Sequence, residues 1–368
     1  MEIIKKIKDF PYIMLLAVYC TAAIGLFIMH GINTPTKPLF NKQLIHLLIA
    51  TFLLYTTTMI NIKYLFYSSY FIYFISLILL IGVTITGHKA MGATRWLNLG
   101  IVKIQPSELI KIGLTMALAK YFHNIQYDNI AKPKTLLIPI LIIMIPLVIV
   151  LKQPDLGTAI TISALAAIIM FLAGVKIWKF IVSIGALLAT MPIIWNHLYE
   201  YQKKRILTFI SPESDALGAG YNIMQSKIAI GSGGIWGKGY LEGSQTQLNF
   251  LPEYQTDFVF SLFAEEFGFV GSIILIGLYF IIILSGVYIA MNCRNTFGKL
   301  LAYGLISVLS IHVFINIGMV SGLLPVVGIP LPLISYGGSS LTTTFIAIGL
   351  IINIKVNSNN RIPNIKIT

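Results

Sequence analysis

Charge is what this sequence has least of. Asp, Glu, Lys and Arg together make up 11% of its 368 residues, less than half the ~25% of an ordinary soluble domain. Apolar runs recur from end to end with little between most of them, so no separate soluble domain fits. Cysteine is scarce: the two thiols exclude a disulfide scaffold. Cys20 lies inside the first apolar run and Cys293 in a late loop, too far apart in the topology below to pair, so both are expected to be free. Acidic residues (13) are half as frequent as basic ones (26), leaving a formal charge of +13. Such an excess can signal nucleic acid. Here Lys and Arg are scattered through short loops and form neither a basic face nor a known binding motif, so nucleic acid is not a partner.

What is abundant is hydrocarbon, with 57% hydrophobic residues. Runs of ~17–25 apolar residues, each long enough to cross a ~30 Å core, recur from end to end. About ten spans are predicted, at 11–29, 43–60, 65–85, 105–122, 135–151, 155–173, 180–198, 258–288, 300–320 and 335–354. The expectation is an all-α polytopic membrane protein, a single integral membrane domain over 1–368. The basic flank before residue 11 resembles a signal peptide, but the apolar run is span-length and no cleavage site follows, which predicts a retained first helix. An even span count puts both termini on one side. Lys63, Lys132, Lys134, Lys176, Lys179, Arg294, Lys299 and Lys355 fall on that side, which the positive-inside rule makes cytoplasmic. The alternate loops are therefore expected to face outward.

One outer loop, 199–256 between spans seven and eight, is too polar to span and too long for a connector. It is glycine-rich, with a short amphipathic helix predicted at 222–230 and a flexible "GSGG" turn after it. It also carries Lys203, Lys204, Arg205, Lys227 and Lys238, where the topology rule gives cations no purpose.

Prolines stand at or near the start of inward-running spans: Pro106 in "KIQPSELIKI", Pro154 in "KQPDLGTAI", Pro252 in "FLPEYQTDF", and Pro330 and Pro332 in "GIPLPLISYGGSS". Proline suits a first helical turn. Helix N-termini there, with the outer cations, would make an anion site at the outer interface. Lys152 of the "KQPD" motif, Arg205 and Lys227 are the candidate phosphate-binding cations. Glu108, Asp155 and Glu253 have an ordinary alternative as first-turn caps. Glu108 has more to explain, because Lys111 three residues on shares its helix face within the membrane. Arg95–Trp96 reads either as an interfacial anchor or as a ligand platform, indole for a sugar face and guanidinium for phosphate. Asp257, Ser261 and Glu265 at i, i+4, i+8 share one face of the eighth span if its helix starts early enough. A carboxylate at the water edge, beside an anion site, suits Asp257 for a general base. Two charge balances stay open: Glu108, Asp155 and Asp257 converge on a divalent cation, magnesium or manganese, or Lys and Arg satisfy them. No other cofactor is expected.

In order and spacing, "GATRWLNLG", "QPSELIKI", "KQPDLGTA", "SPESDALGAGY", "QSKIAIGSGG", "GKGYLEGSQTQLNFLPEYQTDFVFSLFAEEFG" and "VSGLLPVVGIPLPLISYGGSS" resemble the SEDS family of shape, elongation, division and sporulation proteins, most closely its elongation branch. The resemblance covers nearly the whole chain. It implies a ten-helix glycosyltransferase of the bacterial inner membrane, its active site facing outward, that polymerises lipid II into peptidoglycan strands, joining disaccharides by β-1,4 bonds with inversion and releasing undecaprenyl diphosphate. It implies as partners the nascent glycan strand, a class B penicillin-binding protein transpeptidase and other elongation-complex membrane proteins. The family's essential aspartate maps onto Asp257, its tryptophan onto Trp96, and the polar positions of "QPSE" and "QPD" onto Glu108 and Asp155. Trp236 and Tyr254–Gln255 depart from the pattern. A lipid II transporter is the main rival; it needs a polar path through the whole membrane, whereas the polar motifs here gather at the outer ends of spans. A recruiting scaffold, the third reading, gives Asp257 and the Glu108–Lys111 pair nothing to do.

Overall fold

A computed structural model describes residues 10–32, 38–86, 88–90, 93–98, 103–130, 132–197, 202–203, 207–209, 211, 218–244, 253–358 and 362. They form long helices α1 (Tyr12–Gly31), α2 (Leu39–Met59), α3 (Ile62–Thr86), α4 (Pro106–His123), α6 (Pro133–Lys152), α7 (Leu156–Ala173), α8 (Ile177–His197), α10 (Val259–Met291), α11 (Thr296–Val320) and α12 (Gly338–Val356). A single turn, α5 (Tyr127–Ile130), precedes α6, and α9 (Ala219–Ser232) lies in the long loop, around the shorter helix expected there. Eight of these helices are long and apolar enough to cross a membrane: α1, α2, α3, α6, α7, α10, α11 and α12. Helix α4 occupies the expected fourth span and α8 the seventh. The first is the more polar, with Glu108, Lys111 and Lys120, and compensates by being buried along almost its whole length.

The chain is thus a polytopic, essentially all-helical membrane protein. One departure is a small antiparallel sheet, β1 (His88–Ala90), β2 (Ala93–Asn98) and β3 (Lys103–Ile104), between α3 and α4. Strands this short show too little alternation for the sequence to announce them.

Phe52, Phe71, Leu141 and Phe280 are exposed on the outside of the bundle, as suits a hydrocarbon solvent. Small residues let the helices close in. A β-carbon on Gly349 of α12 would lie 2.6 Å from the Leu54 carbonyl oxygen of α2, and one on Gly304 of α11 would lie 2.4 Å from Thr115 of α4. Polar side chains then tie the seams: the Asn353 amide donates to the Thr57 and Thr58 carbonyls at 3.0 Å each, satisfying groups at the end of α2.

Two elements correct the sequence reading. Helix α10, expected as one span, is broken at Gly268 (φ 65°, ψ −160°). The turn after α9 fills the break: Phe269 N–H donates to Gly234 O (2.9 Å) and Val270 N–H to Ile235 O (3.1 Å), while Lys238 N–H donates to Glu265 O (3.0 Å) and Gly239 N–H to Glu266 O (3.1 Å). A β-carbon on Gly268 would sit 2.3 Å from Gly237 N, and one on Gly237 2.1 Å from Glu266 O. The "GSGG" turn is therefore a docked splice, not a flexible connector. Tyr240, just beyond it, stacks on Phe27 of α1 at 4.2 Å, and burial, with the Glu266 charge second, pushes its phenol up.

The second correction concerns 321–337, between α11 and α12. The last span begins at Gly338, and the proline-rich segment before it is irregular yet buried at Val327, Ile329, Leu331, Leu333 and Ile334. Irregular backbone at membrane depth survives where protein surrounds it. Here the Tyr279 hydroxyl donates to Pro332 O, Gln43 donates to Ser335 O at 3.2 Å, and Gly25 of α1 leaves room for Ile334. Pro330 and Pro332 consequently start no helix. Pro106 occupies the first turn of α4, Pro154 precedes the Asp155 cap of α7, and Pro252 lies outside the described residues.

Candidate active site

Asp257 lies in the turn 253–258 that leads into α10. Because α10 begins at Val259, Asp257 does not share a helix face with Ser261 and Glu265. Ser261 pairs with Ser226 of α9 at 2.6 Å, and Glu265 with Lys238 at 2.6 Å and Ser244 at 3.1 Å. Those side chains hold the long loop to the bundle. Asp257 instead faces the buried irregular segment, its Oδ2 being 3.3 Å from where a β-carbon on Gly328 would stand. The backbone around it is fixed carbonyl by carbonyl: Tyr336 N–H donates to Gln255 O (2.8 Å), the Ser335 hydroxyl to Thr256 O (2.6 Å) and the Asn316 amide to Asp257 O (2.9 Å).

The Glu108–Lys111 pair is real and deep. Lys111 Nζ lies 2.7 Å from Glu108 Oε1, with side chains 3% and 9% exposed, and donates to His312 Nε2 at 2.9 Å. The Thr343 hydroxyl donates to the other carboxylate oxygen at 3.3 Å. Beside them a cavity of about 30 Å³, also lined by Pro332 and apolar side chains of α4, α11 and α12, has space for a water molecule. His312 and Asn316 are four apart on one face of α11, so a single helix contacts both the ion pair and the Asp257 turn.

Asp155 caps α7, accepting from Thr158 N–H (3.2 Å) and its hydroxyl (2.9 Å). The α7 N-terminus packs on the same irregular segment: a β-carbon on Gly157 would lie 2.9 Å from Val327 O. The α7 N-terminus and the Asp257 turn therefore both border the stretch 327–328. Lys152 is exposed at the end of α6, and Lys227 is exposed on α9 with its stem lying across Gly322. Trp96 is half-buried on β2, its backbone paired with His88, and the strand runs beside α3 and α4. Arg95 is on the same strand, its side chain outside what is described; Arg205 and Lys204 lie outside the described residues altogether. Among the described residues no three His, Cys, Asp or Glu side chains gather as a metal cluster, so Glu108, Asp155 and Asp257 do not converge.

Sequence reasoning missed His312, Asn316, Thr343 and Gly328. The first two had a signal: in "SIHVFINIGMV" they are polar side chains at helical spacing within an apolar span.

The family described as "Cell cycle protein" matches residues 10–360. The chain is 46% identical over 288 residues to the peptidoglycan glycosyltransferase MrdB of Escherichia coli K12, covering 77% of this chain and 76% of that protein. It is 41% identical over 286 residues to the probable peptidoglycan glycosyltransferase FtsW of Trichlorobacter lovleyi, covering 76% and 74%. Its fold matches a chain from a peptidoglycan synthase complex that coordinates polymerization and crosslinking (TM-score 0.84, 30% identity, 96% and 99% covered). It also matches the rod shape determining protein RodA of Thermus thermophilus (TM-score 0.73, 27% identity, 96% and 98% covered). With an all-helical membrane fold, these likenesses across the chain's length and a buried polar network beneath the Asp257 turn, the chain belongs to the SEDS family of peptidoglycan glycosyltransferases.

Proposed function

We propose that this chain extends peptidoglycan strands during cell elongation, and that Asp257 is its general base. The 4-hydroxyl of an incoming lipid II attacks the α-linked anomeric carbon at the end of the growing strand. Asp257 takes the hydroxyl proton as the new carbon–oxygen bond forms. The bond to the lipid diphosphate breaks, undecaprenyl diphosphate leaves with the electron pair, and the new linkage is β-1,4. One base suffices for inversion; a retaining route needs a second carboxylate at the anomeric carbon.

The observation that carries this reading is the setting of Asp257: a half-buried carboxylate in a turn whose three successive carbonyls are each held by a hydrogen bond. Such a base is preorganised rather than flexible. Lys111 and the first turns of α4 and α7 supply positive potential for the diphosphate. Trp96, Arg95, Lys152, Asp155, Arg205 and Lys227 complete the proposed substrate contacts. The basic loops carrying Lys132, Lys176, Arg294 and Lys299 are assigned to the cytoplasm with both termini, leaving Asp257 on the outer side. Likeness to the synthase complex supports a class B penicillin-binding protein as the cross-linking partner.

The test is polymerisation of purified lipid II by this chain with its partner disabled in cross-linking, with and without chelator. Asp257→Asn is expected to keep normal abundance and lipid II binding but to polymerise ~10²–10⁴-fold slower. Asp257→Glu should also be impaired, because proton abstraction needs an approach near ~3 Å. A well-folded Asp257→Asn protein working at the wild-type rate would remove Asp257 from the mechanism.

A further inference from the structure

We infer that Asn316 is a positioning residue for glycosyl transfer, its amide clamping the backbone of Asp257 to the backbone beside Gly328 and so fixing where the carboxylate points. This rests on Asp257 being the base. Asn316 is 0% exposed, four residues before the end of α11. Its Nδ2 donates to Asp257 O at 2.9 Å and to Ile329 O at 2.8 Å. Both partners are carbonyls, so the nitrogen must be the atom facing them.

The geometry makes this more than a buried bond. Asp257 Oδ2 rests against Gly328, whose φ of 73° and whose 3.3 Å clearance for a β-carbon leave the carboxylate room but little slack. Drawing Ile329 O and Asp257 O to one amide sets that distance. The neighbouring carbonyls of Gln255 and Thr256 are held by the irregular segment itself, through Tyr336 and Ser335. The bond at the aspartate is thus the one in this series made from a rigid membrane helix. Asn316 Oδ1 meanwhile is buried with no hydrogen-bond partner among the described residues. An apolar side chain of the same shape would avoid that cost but would take this donor from the Asp257 and Ile329 carbonyls. What it cannot do is hold two carbonyls together.

The test is a double-mutant cycle on polymerisation of purified lipid II, using Asn316→Leu and Asp257→Asn singly and together. Asn316→Leu is expected to lower kcat by ~10–10²-fold, the scale of a small misplacement of a reacting group. KM for lipid II and membrane abundance should stay near wild type. In the Asp257→Asn background the same change should cause no further loss, because there is no base left to position. An equal fold-loss in both backgrounds would make Asn316 a structural bond independent of Asp257 and overturn the inference. Wild-type activity of Asp257→Asn alone would sink the base assignment instead, and the cycle reports that separately. If Asn316→Leu fails to accumulate, Asn316→Ala, which adds no bulk, takes its place. Wild-type kcat in either folded variant refutes the positioning role.

Discussion

Replacing Lys111 by Met removes an ammonium while keeping most of the side chain's length. In the native fold that ammonium contacts Glu108 at 2.7 Å and His312 at 2.9 Å, with Glu108 7% exposed. Without it, the partner remaining to the Glu108 carboxylate among the described residues is the Thr343 hydroxyl, at 3.3 Å. One long hydrogen bond does not compensate a buried anion, so a loss of ~3–5 kcal/mol is expected. Glu108→Gln strands the opposite charge, leaving Lys111 with a neutral imidazole, and should cost a similar amount. The combined variant leaves an amide beside a thioether and no net charge. It is expected to be ~1–3 kcal/mol more stable than the sum of the two losses. Reversible unfolding in mixed detergent micelles gives the four free energies of the cycle. Additivity within ~0.5 kcal/mol would show that the two groups do not interact in the folded protein and would refute the network.

Gly268→Ala places a β-carbon 2.3 Å from Gly237 N at a φ of 65°. Strain of this kind costs ~1–3 kcal/mol before the clash is counted, so the 233–239 turn should undock. Limited proteolysis of the reconstituted protein should then cut within that turn; an unchanged digestion pattern would contradict the splice. Cys293 is 7% exposed, and burial raises its thiol pKa, with the Asn295 backbone and Lys299 pulling weakly the other way. A raised thiol pKa means less thiolate at any given pH. Maleimide labelling of Cys293 in a Cys20→Ser background should therefore be slower than for a free thiol near neutral pH, and should accelerate as pH rises. Labelling at the free-thiol rate would show the site open.

The membrane spans were legible because each must fill the same hydrocarbon thickness, which leaves a long apolar run wherever a helix crosses. The ion pair was legible because i, i+3 spacing within one helix fixes proximity without knowledge of the fold. The break at Gly268 was hidden. Apolar residues continue on both sides of it, a lone glycine in a membrane helix is ordinary, and its necessity comes from Gly237, in a different element. The segment 321–337 was readable as helix-breaking from its prolines and glycines, yet nothing local says that it is buried or that it closes on Asp257. That knowledge resides in Gly25, Gln43, Tyr279 and Asn316, which come from four helices.

Helix α11 connects the legible half of the site to the hidden half. From Thr296 to Asn316 it rises ~30 Å, about the thickness of the hydrocarbon core. Asp257, bonded to Asn316, therefore stands at the end of α11 opposite the 292–295 turn, the end that the proposed function assigns to the outer face. One turn deeper, ~6 Å along the same face, His312 holds Lys111 and through it Glu108. A cation at that depth cannot be bathed in solvent counter-ions. Paired with Glu108 at 2.7 Å, it presents a fixed dipole at that depth rather than a free charge. Because His312 and Asn316 are carried by one rigid helix, the distance from the buried ammonium to the carboxylate turn is set by helical rise rather than by loop conformation. A shift of α11 would move the electrostatic and the basic parts of the site together, so substitutions that tilt it should lower turnover even when they touch neither Lys111 nor Asp257.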